Sequence, residues 1–531
     1  MPSTSDSSTP APPTTDDARR LADAQVPDTN PHHARRWLIL GVIGVAQLMV
    51  VLDATIVNIA LPSAQADLGF SNASRQWVVT AYALAFGGLL LLGGRLSDLF
   101  GRKWTFIAGL IGFSIASALG GSAESFEVLV AARALQGAFG AILAPAALSI
   151  LTTTFTDMEE RGKAFAIFGA ISGGGAAIGL LLGGVLTEYL SWRWCLYVNL
   201  AFALPAAAIA FGLIHNIASA AHVKLDIPGT ILGSGGLLCI VYGFSEAESK
   251  GWGATETLVF LGGAVVLLIL FVVWLSKASN PLLPLRVVRD RNRGGAYLTI
   301  LLAGLGIFGV FLFLTYFMQQ NLGFSPIRTG FAFIVMPISI VSASIVAQTK
   351  LLPKVGPRPL VVTGMLFGVV GMSYLAQLDA ASTYLANVMP ALIILGLGFG
   401  FIFATAINTA TMGVQPQDAG IASALVNTCQ QVGGAAGTAL LSTIAATATT
   451  DWVTSKAPAG MAMPSGSASP EALAKASPAV RELLNAASIH GYTVAFWYSA
   501  GIFLIGAIVS GLMLRGGVPD TTGPHGAPGA H

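Results

Sequence analysis

Apolar stretches of spanning length recur along almost the whole chain, and this pattern limits what it can fold into. Fourteen windows qualify: 37–61, 77–96, 104–121, 126–152, 164–186, 194–214, 227–244, 257–275, 296–318, 329–347, 360–378, 384–412, 421–445 and 492–514. A helix rising about 1.5 Å per residue crosses a hydrocarbon core about 30 Å thick in roughly twenty residues. Backbone polar groups cannot stay unpaired in lipid, so only helices and closed barrels span it. These windows are too long for barrel strands and lack period-two alternation, so an all-α integral membrane protein is expected. Composition agrees, with 54% hydrophobic and 10% charged residues against about 25% charged in soluble domains.

Basic residues set the direction. With the N-terminus inside, nineteen Lys and Arg fall on the cytoplasmic side and seven outside; Arg133, within a span, completes the 27. Both termini are then cytoplasmic in a multi-pass protein of the cell membrane. Residues 1–36, rich in Ser, Thr, Pro and Asp, read as a disordered tail without a cleavable signal. Residues 515–531 form a second tail. The only sizeable outer segment is 446–489, where 470–487 reads equally as a short surface helix or a flexible loop.

Other function classes lack their signatures. A net charge of +2 without a basic, aromatic-interleaved run gives no reason to expect nucleic acid as a partner. Cys195, Cys239 and Cys429 all lie in apolar stretches and suggest neither a disulfide framework nor a metal site. There is no phosphate-binding loop and no nucleophile motif, so neither an enzyme nor a cofactor is expected.

The chain echoes itself. Leu322-Gly323-Phe324-Ser325 repeats Leu68-Gly69-Phe70-Ser71 at an offset of 254 residues, and Gly356-Pro357-Arg358 follows Gly101-Arg102-Lys103 at 255. Six spans need only about 180 residues, so the offset leaves room for two more helices between the copies. The expected domains are a six-helix bundle over 37–214, two linker helices over 227–275 and a second bundle over 296–514. Parallel six-helix repeats around a midplane site form a known transporter architecture.

Asp53 is the most informative single residue. It lies roughly 24 Å along the helix from Trp37, in the outer half of the core. An ionised acid there costs on the order of 3 kcal/mol, and such groups usually face a cavity or a partner. Apolar surroundings favour the neutral acid, so the group can take up and release a proton. A carboxylate permanently paired for packing is the alternative. Arg133 is the other charge at depth; it either meets a carboxylate, carbonyls or water, or snorkels to the outer surface.

Several motifs then carry a resemblance over about 40–515. The run from Leu52 to Pro62, which includes Asp53, resembles the first-helix signature of the fourteen-helix drug:proton antiporters of the major facilitator superfamily. The run from Gly94 to Lys103 is similar to the gating loop between helices two and three, with Gly94, Asp98, Gly101, Arg102 and Lys103 in place but Leu99 where a basic residue is common. Arg133-Ala134-Leu135-Gln136-Gly137 resembles the fourth-helix motif, and Ser191-Trp192-Arg193-Trp194 a further one. Gly175, Gly179, Gly183 and Gly184 match the fifth-helix antiporter motif, although Leu180 replaces its usual proline. By themselves these glycines form a smooth packing face.

The resemblance implies a major facilitator fold and a proton-driven exporter of amphipathic small molecules such as drugs or antibiotics. It implies proton coupling at Asp53 and Arg133, with no cofactor beyond the proton motive force. The expected partners are the substrate, protons and the lipid bilayer, with the chain a monomer. An uptake symporter and a lipid or metabolite exporter on the same fold remain open. Cavity candidates are Gln47, Asn58, Tyr82, Gln136, Asn427, Gln430 and Gln431, each also able to serve as an interhelical hydrogen bond. Phe311, with Phe308, Phe313, Tyr316 and Phe317, lines an apolar cavity or faces lipid.

Overall fold

The computed structural model describes residues 33–70, 72–215, 225–415, 418–456 and 478–517. Residues 1–32 and 518–531, most of the two expected tails, lie outside them, as do 457–477. The first six spanning helices are α1 (Arg36–Leu68), α2 (Asn72–Phe100), α3 (Arg102–Gly121), α4 (Phe126–Thr154), α5 (Met158–Tyr189) and α6 (Trp194–Leu213). Next come α7 (Ile227–Lys250) and α8 (Thr255–Lys277), then α9 (Arg291–Tyr316). The series α10 is broken into Pro326–Phe333, Val335–Val346, Ala347–Leu351 and Leu352–Val355. It is followed by α11 (Pro357–Leu375), α12 (Met389–Thr411), α13 (Ala419–Lys456) and α14 (Pro478–Met513). Thirteen helices among the described residues are long and apolar enough to span a membrane, and α5, with 32 residues, completes the fourteen.

Starts are fixed by short polar caps. Ser125, Asp157, Asp226, Asp290 and Ser325 each accept a hydrogen bond from a backbone N–H in the first turn of α4, α5, α7, α9 and α10, which satisfies one of the four donors a helix start leaves unpaired. Asp226 also accepts from Trp274 Nε1 at 2.8 Å and Leu282 N at 2.9 Å, binding the far end of α8 to the start of α7.

Two six-helix groups result. In the first, α1 packs on α5 and α6, α2 on α4, and α3 on α4 and α6; in the second, α9 packs on α13 and α14, and α11 on α12 and α14. Between the groups, α13 meets α2 and α4, while α5 meets α10 and α12. Helix α7 packs on α8 and also touches both α2 and α13. The loop after α7 adds a bond from Trp252 Nε1 to Thr443 Oγ1 of α13 at 2.9 Å. Most of α8 faces outward, with only 17% of its most apolar window buried.

The glycine face on α5 lies against α1. A Cβ on Gly179 would sit 2.0 Å from Thr55 Oγ1 and 3.1 Å from the Leu52 carbonyl oxygen, and one on Gly183 would sit 2.9 Å from Ile56. Helix α13 meets α9 the same way: a Cβ on Gly433 would lie 2.4 Å from the Leu301 oxygen, and one on Gly437 would lie 2.3 Å from that of Leu305. Gly179 and Gly183 are offset from Gly433 and Gly437 by the repeat spacing of 254 residues. The internal repeat is thus also a repeat of helix contacts. We expect Gly179→Leu and Gly433→Leu each to cost about 1–3 kcal/mol through overpacking, read as a lower thermal midpoint in detergent. Gly41→Leu, where an added Cβ meets nothing within 4 Å, should leave that midpoint in place.

Helix α13 continues to Lys456, and α14 already begins at Pro478. The segment expected to be an outer loop over 446–489 is therefore helical at both ends. A hydropathy window stops where the helix emerges from lipid, but helix formers such as Ala446 and Leu484 carry the backbone hydrogen bonding further. Gly491 lets the two extensions touch, its absent Cβ leaving room for Thr449 Oγ1.

Candidate functional site

Asp53 is fully buried, and so are the side chains around it. Arg133 Nη1 on α4 donates to Asp53 Oδ2 at 2.6 Å and to Gln136 Oε1 at 2.9 Å. Gln136 Nε2 donates to Asp53 Oδ1 at 3.0 Å and to Ser117 Oγ on α3 at 2.7 Å. Asn199 Nδ2 on α6 donates to Asp53 Oδ1 at 2.7 Å. Arg133 Nε reaches the Val78 carbonyl of α2 at 3.2 Å, and its guanidinium lies 4.4 Å from the Tyr82 ring centre. Five helices are therefore joined in one polar network around this carboxylate. All its hydrogen-bond partners among the described residues are donors, which is the arrangement an ionised acid requires.

Local sequence explains the convergence. Arg133 and Gln136 are three apart on α4 and share a face. At the start of α6, Trp192 Nε1 and Arg193 Nη2 each donate to Asp67 Oδ2 of α1 at 3.0 Å. This ties α6 to α1 and sets the depth at which Asn199 meets Asp53. Arg133 is 1% exposed, so it does not snorkel. Neither Ser117 nor Asn199 was among the expected site residues. An amide within the 194–214 window was the available signal for Asn199; Ser117 had none.

A second polar assembly joins the two groups at the end of the bundle rich in arginine. Asp98, on α2, accepts hydrogen bonds from the backbone N–H groups of Gly420 at 3.0 Å and Ile421 at 3.3 Å. A carboxylate thus caps the start of α13, where the helix dipole favours negative charge. The approach depends on two glycines: a Cβ on Gly94 would lie 2.7 Å from the Gly420 carbonyl oxygen, and one on Gly420 would lie 2.4 Å from that of Gly94. Gly101 has φ +88°, a region open to glycine, and makes the sharp link into α3. Arg95 and Arg102 are buried next to Asp98. Lys103 instead lies over Trp104 and Phe211, 5.5 and 5.1 Å from their ring centres.

On the opposite seam Arg161 of α5 donates from Nε to Asn408 Oδ1 at 2.9 Å and from Nη2 to Thr411 Oγ1 at 3.0 Å, both on α12. Asn408 Nδ2 continues to Gln348 Oε1 of α10 at 3.2 Å. From the sequence alone Arg161 is one of the nineteen cytoplasmic basic residues and nothing more, because its partners lie about 250 positions away. The other candidates are dispersed. Gln47 Nε2 donates to Ser172 Oγ at 3.1 Å between α1 and α5, and Asn427 Nδ2 donates to its own helix at Ser423. Gln430 and Gln431 are half-buried. Phe311 packs on Phe333, 5.6 Å between ring centres. The side chains of Asn58 and Phe308 lie outside the described residues.

The family model described as Major Facilitator Superfamily matches residues 43–438. The chain belongs to the Major Facilitator Superfamily. This membership accounts for paired six-helix groups contacting along two seams. Among relatives of this superfamily member, the puromycin resistance protein pur8 of Streptomyces alboniger is 47% identical over 493 residues, covering 92% of this chain and 94% of that one. The cephamycin export protein CmcT of Amycolatopsis lactamdurans is 39% identical, covering 76% and 84%. The tetracenomycin C resistance and export protein of Streptomyces glaucescens is 29% identical, covering 93% and 94%. The crystal structure of the human organic anion transporter MFSD10 superposes with a TM-score of 0.60 at 14% identity, covering 90% of this chain and 99% of that one. That likeness is one of fold.

Proposed function

We propose that this protein exports amphipathic small molecules, antibiotics among them, in exchange for protons. The observation that carries the reading is the buried carboxylate Asp53 held by Arg133 inside the membrane, in a chain similar to transporters named for antibiotic resistance and export. The arginine-rich end faces the cytoplasm, as do both termini. With Asp98 and Arg161 joining the groups at that end, this conformation is closed toward the cytoplasm.

The proposed cycle follows from charge. A proton entering from outside neutralises Asp53 and leaves the buried Arg133 without its counter-charge. Removing one partner of a buried pair costs about 3–5 kcal/mol, so the neutral acid favours another packing of α1 against α4 and α6. Helix α1 shares its face with the glycines of α5, and α5 meets α10, where a Cβ on Gly174 would lie 3.0 Å from Pro337. Rearrangement of α1 is thereby passed to the seam between the groups. Opening toward the cytoplasm admits substrate, releases the proton and restores the Asp53–Arg133 pair.

Everted membrane vesicles test the reading with puromycin and a fluorescent amphipathic dye as probes. An acidic lumen should drive both probes inward, and a protonophore should abolish the accumulation. Accumulation that survives the protonophore would overturn proton coupling. Probe movement out of an acid-loaded lumen would favour the uptake symporter.

A further inference from the structure

Protonating Asp53 turns one of its oxygens from an acceptor into a donor, and that donor needs an acceptor nearby. Arg133 has none to offer. Gln136 Oε1 already accepts from Arg133 at 2.9 Å, and its Nε2 is divided between Asp53 and Ser117. Asn199 differs. Its Nδ2 lies 2.7 Å from Asp53 Oδ1, while its Oδ1 is buried with no hydrogen-bond partner among the described residues. A buried acceptor left unpaired is rare and needs a reason.

We propose that the Asn199 amide reads the charge state of Asp53 by turning over about its Cβ–Cγ bond. Nδ2 donates to the ionised carboxylate; after a half-turn the amide oxygen occupies that place and accepts the O–H of the neutral acid. Ser117 Oγ, 3.3 Å from Asn199 Nδ2, then rotates its hydroxyl to donate to the same oxygen. One proton from the outer water forms the Asp53 O–H bond and later leaves to the cytoplasm; the amide keeps its own protons and changes only orientation. The titratable groups facing Asp53 among the described residues are Arg133 on α4, Tyr82 on α2 and Cys195 on α6. None of the three combines a donor now given to Asp53 with an unused acceptor. Asn199 is therefore a positioning residue, and the inference rests on Asp53 being the proton carrier.

Infrared difference spectra of the full-length protein in liposomes, recorded across a pH titration, test it. The carboxylic C=O band that titrates in the wild type should vanish in Asp53→Asn. With ¹⁵N in the asparagine side chains, one amide band should change at the same midpoint in the otherwise unaltered protein. Asn199→Leu should remove that amide change and displace the carboxylic band. It should also raise the pH midpoint of efflux by about one unit, tenfold in proton affinity, because the ionised form loses the stronger hydrogen bond. Asn199→Ser, whose hydroxyl both donates and accepts, should return the midpoint toward the wild type. An amide band that ignores the titration overturns the proposal, as does an unchanged carboxylic band and midpoint in Asn199→Leu. If the titrating band persists in Asp53→Asn, it is the carrier reading that fails.

Discussion

Asp53→Asn is expected to reduce proton-driven accumulation in everted vesicles to the level of vesicles lacking the protein. The expected loss is large because one elementary charge crossing 100 mV supplies about 2.3 kcal/mol, enough for roughly a fiftyfold gradient at best. An amide keeps the shape of the side chain and can still accept from Arg133, but it cannot carry a proton through the cycle. The variant should also be less stable, since a buried guanidinium without its counter-charge costs about 3–5 kcal/mol. Asp53→Asn with Arg133→Gln removes both charges, and its thermal midpoint should lie above that of the single variant while accumulation stays at background. That split separates loss of coupling from loss of fold. Proton-dependent accumulation close to wild type in well-folded Asp53→Asn would end the scheme.

The second large effect is expected at the seam between α2 and α13. Asp98→Ala leaves two backbone donors at the start of α13 without a charged acceptor, and each such bond is worth about 1.5–3 kcal/mol. Even the lower figure for both bonds together is about 3 kcal/mol, close to a hundredfold change in the ratio of closed to open forms. Spin-label distances across the arginine-rich end should lengthen, and efflux should fall as the closed form becomes rare. Gly420→Val should have the same signature for a steric reason, because its first added carbon would lie 2.4 Å from the Gly94 carbonyl oxygen. Distances unchanged in both variants would show that this contact does not hold the seam.

The spanning helices were legible from the sequence because lipid allows few alternatives; apolar windows of the right length have little choice but to form helices. Their ends were less legible, as α13 and α14 show, since helix propensity continues after hydropathy has stopped. Charges at depth were easy to notice for the same energetic reason, which is why Asp53 and Arg133 stood out. Neutral partners were not. Gln136 was read as a motif residue and a cavity candidate, while Asn199 and Ser117 were not read as site residues, because an amide or hydroxyl in an apolar run is usually an ordinary interhelical bond. What distinguishes them is convergence, and residues 82 and 146 positions apart, as Asn199 is from Ser117 and Asp53, reveal it only once the helices are packed. The Asp98 latch lay between the two: its motif was visible, but its partners on α13, more than 320 positions away, were not.

The matched contacts of α1 with α5 and α9 with α13 have a consequence for energetics. Leu52 and Ile56 occupy the places that Leu301 and Leu305 hold in the second copy, so the counterpart of Asp53 is Leu302. The second copy thus holds no acid at the matching place, and in the proposed cycle the first group alone carries the hydrogen ion. A single proton traded for a monovalent cationic drug moves no net charge, so only the pH difference would power that exchange. An uncharged drug on the same carrier would draw on membrane voltage as well, and the dependence on voltage should therefore differ between two such cargoes.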